Sequence, residues 1–141
     1  MTTELMTPGD VTSTLRWLES WRAGEDVERP RALSQAARSR IDLAPASPQA
    51  FAVAMDRLLD FAEAFGLKVP KRQQAVEIYR EALRVLPEDL LMTAVERTIA
   101  DWKWSRLPPP ADIRAQVTDE MGHRILLDSR ARLAVLQASR N

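Results

Sequence analysis

Apolar side chains recur along this chain at intervals of three and four residues, which predicts helices. Val11, Leu15 and Leu18, with Trp17 and Trp21 beside them, predict a helix over 10–23, with Asp10 as its N-cap and Gly24 as its stop. The pattern thins over 25–46, where two prolines and mixed charge read as a linker holding at most a short helix near 31–40. Ser47 then caps a strongly striped helix that starts at Pro48, carries Phe51, Met55, Leu58, Leu59, Ala62 and Phe65 on one side, and ends at Gly66. A further helix is predicted over 70–85, burying Ala75, Ile78, Tyr79, Ala82 and Leu83. Pro87, Glu88 and Asp89 open the next, which runs to 103 with Leu91, Val95, Ile99 and Trp102 on its stripe. Pro108, Pro109 and Pro110 form a stiff connector. Pro110 also begins a long last helix, marked by Ile113, Val117, Met121, Ile125, Leu133 and Leu136, whose polar far end is expected to project.

No alternating strand pattern and no repeat of 20–50 residues occurs, so the predicted class is all-α: a small bundle of about four core helices with an extra N-terminal helix. The division expected is an N-terminal helix and linker over 1–46 and a bundle over 47–141. Its core is predicted to be Phe51, Met55, Leu58, Phe65, Ile78, Tyr79, Ala82, Leu91, Val95 and Trp102.

Composition narrows the chemistry. The 141 residues carry twenty basic and twenty acidic side chains, so no global positive field draws the chain to nucleic acid, and direct nucleic-acid binding is not expected. With no cysteine and one histidine, His123, neither a disulfide framework nor a zinc site can be drawn. The glycines stand alone at 9, 24, 66 and 122, which excludes a phosphate-binding loop and a dinucleotide turn. Catalytic residues, metal and cofactor are each expected to be none. Residues 1–4 show no leader pattern and no stretch approaches the roughly 18 apolar residues of a membrane span, so the expected address is the cytoplasm, with no membrane partner.

Three groups depart from a plain bundle. Lys68, Lys71 and Arg72 surround the start of a helix, where basic charge opposes the macrodipole, and form a candidate site for an anion or an acidic partner; the alternative is a solvent-exposed cluster. Trp102 and Trp104 cannot face one core from a continuous helix, so with Lys103 and Arg106 they form a candidate partner-binding corner, or pack under the proline run. Trp17 and Trp21 either dock in a partner's groove or fold back on their own chain. Asp56, Asp60 and Glu63 read as solvated charge on the polar side of their helix.

From Arg72 to Ala115 the order of signals resembles the small helical domain of bacteriophage replicative-helicase loader/inhibitor proteins. Tyr79, Ala82 and Leu83 share a helix that Leu86 and Pro87 break. Leu90, Val95 and Ile99 follow, then the aromatic stretch 102–104, then Leu107 and Pro108 leading through Ala111, Asp112 and Ile113. Where that family reads Pro-Thr-x-Ala-Glu-Ile after the aromatic, this chain has three prolines and an aspartate. The resemblance implies a non-enzymatic adaptor that binds a hexameric replicative helicase, restrains or loads it, and has a phage initiator as a further partner. In that family the helicase contact lies on a flexible segment outside the compact domain, whereas the long extension here is N-terminal. The competing expectation is a helix-turn-helix-like DNA-binding module built on the helices 70–85 and 88–103.

Overall fold

The computed structural model describes residues 7 to 140, and the opening residues 1–4, read above for a leader, lie outside the described residues. The protein is all-α. Seven helices follow in order: α1 (Pro8–Ser20), α2 (Arg31–Ser39), α3 (Pro48–Ala64), α4 (Arg72–Leu83), α5 (Glu88–Ala100), α6 (Pro110–Ala115) and α7 (Thr118–Arg140), with no strand among the described residues.

These helices form two compact units, one of residues 43–121 and one of residues 1–42 together with 122–141. The expected boundary after 46 thus falls close to the first crossing of the chain. The grouping differs, because most of α7 belongs with α1 and α2 and not with the bundle.

In the unit of 43–121, Ser47 accepts the Ala50 amide at 3.1 Å and Pro48 opens α3, as its sequence predicts. At the other end the Leu67 amide reaches the Ala62 carbonyl and the Gly66 amide reaches that of Glu63. This paired closure requires φ of +109° at Gly66. The core packs Phe51, Met55, Leu58 and Leu59 of α3 against Tyr79 and Leu83 of α4 and against Leu90, Leu91, Ala94 and Val95 of α5. Ile113 and Val117 close it from the start of the last segment.

Two predicted core residues are not in it: Phe65 is 60% exposed and Ile78 62%. Phe65 follows the last turn of α3, and Ile78 lies about 100° around α4 from buried Tyr79 and about 140° from buried Leu83. Trp102 and Ala82 are partly buried against the same cluster.

The single last helix predicted from Pro110 is two. The chain tightens after α6, where the Gln116 amide bonds to Ile113 and the Val117 amide to Arg114. Arg97 of α5 takes the Gln116 carbonyl at 2.6 Å and holds Glu120 at 2.9 Å, so a side chain replaces the next helical hydrogen bond.

The second unit has its own core of Val11, Leu18, Trp21, Leu33, Ala37, Leu127, Ala131 and Ala134. Thr7, not Asp10, caps α1, accepting the Asp10 amide at 3.2 Å. α1 stops at Ser20, and Gly24 adopts φ of +98° in the turn beyond. Arg130 of α7 donates to the carbonyls of Leu18 and Glu19, which satisfies the C-terminal end of α1. The far part of α7 does not project: Ala131 and Ala134 are fully buried. Leu127 and the two alanines turn inward, while Ile125, Leu133 and Leu136 are exposed.

Candidate functional site

The most distinctive surface of the 43–121 unit is an aromatic corner built where α3 and α5 both end. Phe61 near the end of α3 and Phe65 at its C-cap stand one turn apart and stack with ring centroids 5.9 Å apart. α5 ends at Ala100, so Trp102 and Trp104 lie on the turn beyond it and escape the opposed directions a helix would impose. Trp102 meets Phe61 edge-on at 5.2 Å and Phe65 at 5.9 Å, and Trp104 meets Trp102 edge-on at 5.6 Å. Four rings therefore form a continuous ladder with offset and edge contacts, the arrangements that aromatic quadrupoles favour.

Internal hydrogen bonds hold the corner. The Trp102 indole donates to the Trp104 carbonyl at 3.0 Å, and that of Trp104 to Asp112 Oδ2 at 3.3 Å. With both indole N–H groups engaged, what the half-buried rings and exposed Phe65 still show to solvent is apolar contact area. Lys103 Nζ stands 5.4 Å from the Trp104 centroid, within cation–π range, and Arg106 is exposed. The following proline connector is fixed by Tyr79, whose buried hydroxyl donates to the Pro108 carbonyl at 2.7 Å. Burial pushes that phenol above its ordinary pKa range, which keeps it a neutral donor.

The residues singled out from sequence thus divide. Trp102, Lys103 and Trp104 are brought together, Arg106 is exposed two residues further along the chain, and the structure adds Phe61 and Phe65. The sequence reading placed Phe65 in the core and passed over Phe61. Their signal was an aromatic pair four residues apart immediately before a helix-ending glycine.

Trp21 is 2% exposed and donates its indole N–H to the Asp26 carbonyl, so it is a core residue of the other unit. Trp17 is half-buried against it, 5.5 Å away. The pair folds back on its own chain because α2 and the alanine stripe of α7 supply the apolar cover.

The basic cluster is also revised. Arg72 is not open to an anion: it bonds Asp60 and Glu63 at 2.8 Å and Asp56 at 3.3 Å. The hydrogen bond to Asp60 leads these partners in raising its pKa, and Asp56, Asp60 and Glu63 are the acids read above as merely solvated. Lys68 and Lys71 are exposed and form no ion pair among the described residues. His123 Nε2 lies 3.7 Å from Glu19 on the surface.

Among the described residues no group of three or more His, Asp or Glu side chains is placed to hold a metal ion. No helix among them is long and apolar enough to cross a membrane. None of the known family models, curated proteins or solved structures matches this chain.

Proposed function

We propose that this chain is a non-enzymatic adaptor of bacteriophage or prophage DNA replication, working in the cytoplasm, that binds a hexameric replicative helicase and loads or restrains it. The observation that carries the protein-binding part is the aromatic corner, in which Phe65 stays 60% exposed beside Trp102 and Trp104. A pre-ordered cluster of rings with Lys103 and Arg106 at its edge has the composition of an interface hot spot, where aromatic and Arg anchors supply most of the binding energy. Its rigidity lowers the entropy lost on docking. The helicase part rests on the resemblance over residues 72–115, and a phage initiator is the second partner in this reading. Against the DNA-binding alternative stands the first turn of α5, where Glu88 and Asp89 would meet phosphate with like charge.

The test is calorimetry of the full chain against the replicative helicase of the same genome or its host. Wild type should bind, and Phe65→Ala and Trp104→Ala should each weaken binding by about thirtyfold while the domain stays folded. No binding by wild type at concentrations on the order of tens of micromolar overturns the helicase reading. Undiminished binding by both variants moves the contact away from the corner.

A further inference from the structure

We propose that the cleft between the entry to α3 and the end of α4 binds a peptide segment of a partner protein in which one large apolar side chain adjoins a carboxylate. The cleft measures about 320 Å³, the low end of ligand cavities and enough for one such side chain. Its apolar lining comes from buried Phe51, half-buried Ala46, and the exposed Pro45, Pro48 and Val85. Arg80 and Arg84 complete it, and no acidic residue lines it.

The donors available to a ligand fix its chemistry. Pro45 and Pro48 have no amide hydrogen, and the Ala46 amide is already given to the Leu86 carbonyl at 3.0 Å. Among the lining side chains the hydrogen-bond donors are the two guanidiniums, of Arg80 on α4 and of Arg84 one helical turn on, at its C-cap. Arg80 is held over the apolar surface, its Cζ 5.5 Å from the Phe51 centroid, and pairs on the surface with Glu77 at 3.4 Å. The Arg84 side chain makes no hydrogen bond or ion pair among the described residues. Apolar surface beside two cations selects an apolar body with a carboxylate and rejects cations. With Pro45, Pro48 and Val85 exposed, the cleft is open-sided. It suits a side chain of a longer segment running across the surface, since a free small molecule needs enclosure to bury most of its area.

None of these residues belongs to the aromatic corner, so this proposal goes beyond the adaptor reading and fails separately from it. The test is an amide-resolved NMR titration of the full chain with the blocked peptide acetyl-Ala-Leu-Asp-Asp-amide and its Asn-Asn counterpart. The acidic peptide should give saturable shifts confined to residues 45–51 and 80–85, and the Asn-Asn peptide should bind about fivefold more weakly. Arg84→Gln, a surface change whose spectrum verifies the fold, should lose about the same factor, as should Arg80→Gln. Equal binding of both peptides, shifts centred elsewhere, or no saturation up to about 10 mM overturns the proposal. So does equally tight binding of 4-methylpentanoate, which would assign the cleft to small carboxylates.

Discussion

Tyr79 and Arg72 show how single side chains connect distant parts of one unit. Tyr79 reaches from α4 to the carbonyl of Pro108, a residue with no amide of its own to offer, and so anchors the connector that follows the aromatic corner. Replacing it by Phe leaves that carbonyl without its donor and should destabilise by about 1–3 kcal/mol at neutral pH. The pH dependence has a definite sign. Burial raises the folded-state pKa above the ordinary 10.0, so the stability this phenol contributes is complete below pH 10 and is lost as the pH rises through the folded value. Urea unfolding across an alkaline pH series should show wild type losing stability above pH 10 more steeply than Tyr79→Phe; parallel curves would clear the phenol of that role. Arg72 bonds three carboxylates of α3 spaced four and three residues apart. Their spacing was legible in the sequence as one helix face, and the basic residues at the start of α4 were legible as an anomaly. What joined them is a contact across the turn between two helices, which no local pattern contains.

At the scale of elements, local chemistry was read correctly where it is self-contained. Ser47 with Pro48 and Gly66 mark both ends of α3, and the short helix expected near 31–40 is α2. Reading failed where tertiary contacts decide. The run Ile113, Val117, Met121, Ile125 keeps a perfect four-residue spacing through Gln116, yet Arg97 captures the Gln116 carbonyl and the helix restarts at Thr118. Beyond it, the larger apolar residues suggested the wrong face. Leu127, Ala131 and Ala134 turn inward instead, into the cluster that also holds Val11 and Leu18 of α1. The site was half legible for the same reason: Trp102 and Trp104 stood out by composition, while Phe61 and Phe65 reach them only because two helices end side by side. The alanine face gives a direct test. Ala134→Leu adds bulk at a fully buried position and should destabilise by about 1–3 kcal/mol, measured by chemical denaturation. Leu136→Ala, at a half-exposed position of the same helix, should shift the midpoint far less. Equal effects from the two would mean that α7 packs by another face.

The whole molecule contains two cores with no residue in common, one drawn from 46–121 and the other from α1, α2 and the later part of α7. That arrangement decides where the chain can be cut. Removing residues 1–46 takes away α1 and α2 and uncovers Leu127, Ala131 and Ala134, so a fragment of 47–141 carries an apolar helix face that its own unit no longer covers. A fragment of residues 43–121 keeps the entire first core, the Ala46 to Leu86 hydrogen bond, the Tyr79 to Pro108 anchor and all four rings of the corner. It should unfold in one cooperative thermal transition, with the melting behaviour of a small two-state domain. Because Trp17 and Trp21 are absent from it, its tryptophan emission comes from Trp102 and Trp104 alone, and the corner can be followed without interference. If the corner is the helicase contact, this fragment should bind within about threefold of the full chain, since every side chain assigned to the contact is present. A fragment that folds cooperatively but has lost binding would transfer the contact to the unit of 1–42 and 122–141. A fragment without a transition would show that the first core, complete as it is, draws its stability from the rest of the chain.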